Sequence, residues 1–74
     1  MTTYKVRLKL DDLLKERGIG DREFGRMTGI RYPSIGEMRA NKTVRLPLDN
    51  LAKICEVLNV EITDVLTLEK EPRD

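Results

Sequence analysis

Charged side chains hold most of the chemistry available to this sequence. Its 74 residues include 14 Lys and Arg, 13 Asp and Glu, no His, and a net charge of +1. One thiol, Cys55, completes the set. With no His and a single Cys, the usual Cys/His zinc sets cannot be assembled, and no disulfide closes within the chain. The commonest general base is missing as well. A carboxylate mechanism remains open in principle, but a chain this short has difficulty enclosing a pocket. No nucleophile is spaced to meet a base, and no glycine loop is built to cradle a phosphate, so an enzyme has little support. Cys55 reads as a small core residue, with a redox role as the minor alternative. No cofactor is expected.

What the charges can do is bind. Residues 17–45 carry seven cations (Arg17, Arg22, Arg26, Arg31, Arg39, Lys42, Arg45) against three carboxylates, a local charge of +4. Residues 46–74 carry three cations against seven carboxylates, a local charge of −4. A basic middle beside an acidic tail suits a polyanionic partner. The plain alternative is scattered solvated charge, because a split of this size is not rare in a short chain. Arg7 and Lys9 divide the same way, into solvated strand charges (favoured) or an extension of a phosphate-binding surface.

The elements that would position these cations follow from periodicity. Residues 3–8 alternate, with Tyr4, Val6 and Leu8 on one side, which predicts a half-buried strand with Tyr4 packed beneath it. Leu10, Leu13 and Leu14 predict a helix over 9–17, with Asp11 and Asp12 at its positive end and Gly18 closing it. A second helix is expected over 21–28, with Phe24 and Met27 inward. A third is expected over 33–40, with Ile35 and Met38 inward, Pro33 in the first turn and the cap at Arg31 or Tyr32. After a loop over 41–47, a fourth helix over 48–58 buries Leu51, Ile54, Cys55 and Leu58, and Asn59 ends it. A short fifth helix over 61–66 buries Ile62, Val65 and Leu66. Residues 67–70 read as a second strand and 71–74 as a frayed tail. The first strand needs a partner. Residues 67–70 are one candidate and the same strand of a second copy is the other; we favour the pairing within the chain, with a homodimer left open. No apolar run approaches a membrane span, and the N-terminus has no continuous apolar stretch, so a cytoplasmic location and no membrane partner are expected.

Two short helices joined by a tight glycine-containing turn make a helix-turn-helix. Close crossing wants a small residue on the first of them, and Gly25 supplies it. The turn wants a positive backbone angle, which Gly29 takes cheaply, and Ile30 after it plugs the core. Ile35 and Met38 are the buried side of the next helix, leaving Pro33, Ser34, Gly36, Glu37 and Ala40 on its free side. At this spacing, residues 21–40 resemble the DNA-binding core of the lambda-repressor-like, or xenobiotic-response-element, family that includes phage Cro proteins. The likeness extends from the first helix through Leu48 to Leu66, covering roughly residues 8–66.

The resemblance implies one all-α domain over 1–74, a five-helix lambda-repressor-like fold with room for a short two-stranded sheet from the terminal segments. It also implies a recognition helix over 33–40. By position, Tyr32, Pro33, Ser34, Gly36 and Glu37 would face base edges, with Ala40 at the edge of the groove. Arg22, Arg31, Arg39, Asn41, Lys42 and Arg45 would contact phosphates. The expected function is sequence-specific binding of double-stranded DNA by a bacterial or phage transcription regulator, a repressor. Phosphate contacts supply affinity, and base contacts supply sequence choice. The sequence departs from the family where a polar residue such as glutamine often opens both helices: Asp21 and Tyr32 stand there. Asp21 would repel a phosphate. Pro33 and Gly36 offer no side-chain hydrogen bond, so direct readout falls on Tyr32, Ser34 and Glu37. Glu37 either accepts from a cytosine amino group or is a solvated charge, with even odds. Dimerisation on a palindrome would combine two modest half-site contacts. The competing reading is a protein-interaction module, such as an antitoxin or anti-repressor with a protein partner. The cations Arg31, Arg39 and Lys42 around the third helix favour DNA.

Overall fold

The computed structural model describes residues Thr2–Pro72. The element order is β1 (Thr2–Leu8), α1 (Leu10–Arg17), α2 (Asp21–Thr28), α3 (Tyr32–Arg39), α4 (Leu48–Leu58), α5 (Ile62–Val65) and β2 (Leu66–Pro72). The five helices form one bundle, and the two strands form an antiparallel ribbon in which Leu8 lies opposite Leu66 and Thr2 opposite Pro72. The first strand therefore pairs within the chain. The second strand is longer than expected, because Glu71 and Pro72 continue the ladder where the sequence suggested fraying; residues 73–74 lie outside the described residues.

The helices end where their residue types require. Two carboxylates stand in the first turn of α1 and two cations in its last, opposing the macrodipole. Arg31 is extended and α3 starts at Tyr32, one residue earlier than the periodicity indicated. The short α5 is held by a reciprocal capping box between Glu61 and Asp64.

The core is built from Leu10 and Leu14 of α1, Phe24 of α2, Ile35 and Met38 of α3, Leu51, Ile54 and Leu58 of α4, and Val65 of α5. Leu8 closes it from the ribbon and Ile30 from the turn. Cys55 packs half-buried against this cluster, and burial, with Glu61 and Asp64 nearby, pushes its thiol up from its ordinary range.

Four apolar side chains expected inside, Tyr4, Val6, Met27 and Ile62, are outside. Met27 is 42% exposed, because the buried stripe of α2 runs through Phe24 and Thr28. Thr28 can be buried because its hydroxyl donates to the Phe24 carbonyl at 2.8 Å and accepts the Ile30 N–H at 3.1 Å. Ile62 is exposed at the start of a helix too short to bury more than one side chain, and Val65 takes the inward position. Tyr4 does not pack under its strand, since the ribbon extends past the helices and only its base, at Leu8, joins the core.

Candidate nucleic-acid interface

The presentation of α3 begins with the turn before it. Gly29 adopts φ +79°, a left-handed conformation that costs an L-residue roughly 1–2 kcal/mol. Gly25 is where α2 and the turn come closest: a Cβ there would lie 3.0 Å from the Ile30 carbonyl oxygen and 3.6 Å from Ile35 Cδ1. Both glycines thus do what their spacing indicated. With Ile35 and Met38 buried, Tyr32, Pro33 and Glu37 are exposed on α3 and Ser34 is half-buried.

Gly36 has a different neighbour from the one expected. A Cβ there would meet Asp21 Oδ2 at 3.6 Å, so this position looks toward the start of α2 and away from the free side of α3. One turn further on, on the same side, lies Arg39. Its Nε donates to Asp11 Oδ1 at 2.7 Å and its Nη1 to Asp21 Oδ1 at 2.6 Å. Only 19% of the side chain is exposed. Arg39 therefore ties α3 to both α1 and α2. The same bond from Arg39, followed by one from Lys15, holds the Asp11 carboxyl below the usual carboxylate range. Asp21, which would repel a phosphate if free, is partly neutralised by this arginine.

Asn41 is likewise occupied. It sits at φ +59° just after α3. Its Oδ1 accepts the Leu8 N–H at 2.7 Å and its Nδ2 donates to the Leu8 carbonyl at 3.1 Å, fastening the end of α3 to the base of the ribbon. Arg17 is also taken up internally: its guanidinium donates to the Leu58 carbonyl at the C-terminal end of α4. The seven cations of the basic middle thus divide. Arg17 and Arg39 bind groups of the fold. Arg22, Arg26, Arg31, Lys42 and Arg45 are exposed and pair with no carboxylate among the described residues.

Four of these cations, Arg22 and Arg26 on one side and Lys42 and Arg45 on the other, line depressions beside α3, and Arg31 immediately precedes it. Arg22, Gly25, Arg26, Ile30 and Tyr32 line one depression where α2 meets the turn. There the Arg22 guanidinium lies 5.4 Å from the centre of the Tyr32 ring, a cation–π contact that steadies the tyrosine at the head of α3. On the other flank Ser34 and Glu37 share a groove with Arg45 and Asn50. Lys42 lies beyond, where the loop meets the ribbon. Arg26 was counted in the basic middle but not picked out as a contact residue. Its position four residues after Arg22, on one face of α2, was the available signal.

A model of the Cro/C1-type HTH DNA-binding domain matches residues 9–71, and the chain belongs to that family. The fold agrees with a solved structure from Bacteroides fragilis titled a "putative DNA-binding protein". That structure superposes with a TM-score of 0.75 at 24% identity, over 85% of this chain and all of the other. No functionally curated protein matches in sequence.

Proposed function

We propose that the chain acts as a single module that lays α3 in the major groove of double-stranded DNA and regulates transcription by occupying an operator. The observation that carries this reading is the pair of cation-bearing grooves on either side of the exposed face of α3. A major groove about 12 Å wide admits one helix, and the phosphates then lie along both flanks of that helix. Arg22, Arg26 and Arg31 reach one backbone, and Lys42 and Arg45 the other. Arg39 and Asn41, engaged within the fold, set the angle at which α3 is offered. Tyr32, Ser34 and Glu37 read bases, and Pro33 packs against a base edge without a hydrogen bond. Repression follows from occupancy, because a bound module blocks whatever else needs that DNA.

Three reading side chains are few for one site. The economical arrangement is two copies on a palindrome, each contributing one half-site. The test is selection from a random duplex pool by the purified protein, repeated across a salt series. The expected result is a short palindromic motif, with each half-site weakened by about 1–3 kcal/mol when Ser34 or Glu37 is replaced by alanine. Salt-dependent binding without any enriched motif would reject sequence-specific regulation. Absence of binding at low salt would reject DNA as the partner and favour the protein-interaction alternative.

A further inference from the structure

Among the described residues, the most exposed large apolar side chain sits in the loop after α3. Val44 is 94% exposed, and Lys42 and Arg45 beside it pair with no carboxylate among those residues. Both ends of the loop are pinned. The Lys42 N–H donates to the Glu37 carbonyl at 2.9 Å, the Asn41 amide brackets Leu8, and Leu46 packs against the core. Pro47 leads into α4, its carbonyl accepting the Leu51 N–H at 3.1 Å. An apolar side chain held out in water on a fastened loop contributes nothing to the core.

The loop is also a ridge between two grooves, and Thr43, Val44 and Leu46 line both. The first groove separates the loop from Ser34 and Glu37 of α3, with Arg45 and Asn50 on its far side. The second separates the loop from the ribbon, with Lys42 on the loop, Lys5 on the ribbon and no carboxylate among its lining residues.

We infer that the tip of this ridge enters the minor groove of DNA beside the stretch of major groove that α3 occupies, with Val44 against the groove floor. The inference rests on the major-groove reading given above and adds a second contact with the same partner. When α3 fills a major groove, the strand bounding that groove on this flank lies in the hollow beside α3. Whatever stands beyond that hollow is over the adjoining minor groove, and here it is the loop. A minor groove about 6 Å wide admits a loop tip and excludes a helix. Arg45 and Lys42, on the two sides of the ridge, stay with the near strand, and Lys5 faces the far one.

The side chain at the tip selects the bases. A·T pairs present only acceptors in the minor groove, whereas a G·C pair projects the N2 amino group of guanine. Valine has no acceptor for that group and would take it out of water without replacing its hydrogen bond. A·T tracts also have narrower minor grooves, so both walls close on the side chain. The preference falls on one side of the half-site, because the other flank of α3 is lined by Arg22, Arg26 and Tyr32 of the helix-turn-helix itself.

The test is titration, by fluorescence anisotropy, of duplexes that carry the selected motif and differ only in the adjoining base pairs. These are A·T, G·C, or inosine·cytosine, which lacks the guanine amino group and keeps its major-groove edge. The parent chain should bind the A·T flank at least about fivefold more tightly than the G·C flank, the cost of one mismatched pair, and inosine should recover most of that loss. Val44→Ser keeps the fold, because the side chain it replaces is in water, and should bind all three flanks alike with an unchanged salt slope. Lys5→Ala should keep the A·T preference and lower the slope of log affinity against log salt by about 1. Equal binding of the parent to all flanks, a preference that inosine leaves in place or Val44→Ser retains, or an unchanged slope for Lys5→Ala would overturn the inference while the motif read by Ser34 and Glu37 stands. A parent chain that binds no duplex, or every duplex alike, would overturn it together with the major-groove reading.

Discussion

Arg39, Arg17 and Arg22 carry the same guanidinium and have three different fates. Arg39 is clasped by Asp11 and Asp21, Arg17 by a carbonyl at the end of α4, and Arg22 lies over the Tyr32 ring with its charge open to solvent. Only the third kind is available to a phosphate. The distinction is measurable, because each phosphate neutralised releases condensed counterions. Arg22→Ala, Lys42→Ala and Arg45→Ala should each lower the slope of log affinity against log salt by about 1, with similar losses on all sequences. Arg39→Ala should act instead through stability, costing about 1–3 kcal/mol, the range for losing charged hydrogen bonds that are mostly sheltered. Titrations of binding at several salt concentrations, beside urea unfolding, separate the two. A slope change of about 1 for Arg39→Ala with unchanged stability would mean that its clasp opens on DNA.

At the scale of elements, the helix-turn-helix is set by a glycine at one end of the turn and a latch at the other. Gly29→Ala should destabilise the domain by about 1 kcal/mol, because its φ of +79° admits a side chain only under strain. The Asp11 arm of the latch to Arg39 makes the stability of the fold sensitive to acid. The carboxyl of Asp11 is depressed in the folded chain, chiefly by its bond from Arg39. A carboxylate of this kind stabilises the fold fully above its unfolded value of about 3.9, and the contribution is lost as pH falls from there through the folded value. Arg39 itself stays charged throughout. Asp11→Asn should therefore lower stability at pH 7 and flatten its decline below about pH 4. Urea midpoints of both chains at pH 7 and pH 3 test this, and parallel declines would place the acid sensitivity elsewhere.

At the scale of the molecule, hydrogen bonds add to the packing of Leu8 and Leu66 in joining the helical bundle and the ribbon. Lys9 N–H donates to the Val65 carbonyl at 2.7 Å, and the Asn41 amide brackets Leu8. Asn41→Ala removes two hydrogen bonds from a partly buried strand end and should cost about 1–3 kcal/mol. Its signature is faster amide exchange at Leu8, with the α4 core amides following only the global loss. If α4 and the ribbon change together, the ribbon has no separate opening and Asn41 is an ordinary stabilising contact.

Much of this was legible in advance, and for physical reasons. Gly25, Gly29, Ile35 and Met38 sit at spacings that a tight helix crossing demands, and such demands are local, so α2 and its turn follow from residue types alone. The five helices follow from periodicity, because a stripe of leucines has only one way to be buried, whereas the partner of the first strand was open between two candidates until the ribbon showed it within the chain. Which polar side chains are free does not follow from periodicity. A cation is available to DNA only if no carboxylate or carbonyl lies within reach, and those partners come from distant stretches: Asp11 lies 28 residues from Arg39, Leu8 lies 33 from Asn41, and Leu58 lies 41 from Arg17. The burial of Thr28 in place of Met27, the turning of Gly36 toward Asp21 and the exposure of Tyr4 and Val6 belong to the same class. Local pattern determined the elements, the turn and the basic character of the middle of this chain. The tertiary structure decided which side chains are spent on holding α3 and which remain to be used, because that depends on distances between residues the sequence keeps far apart.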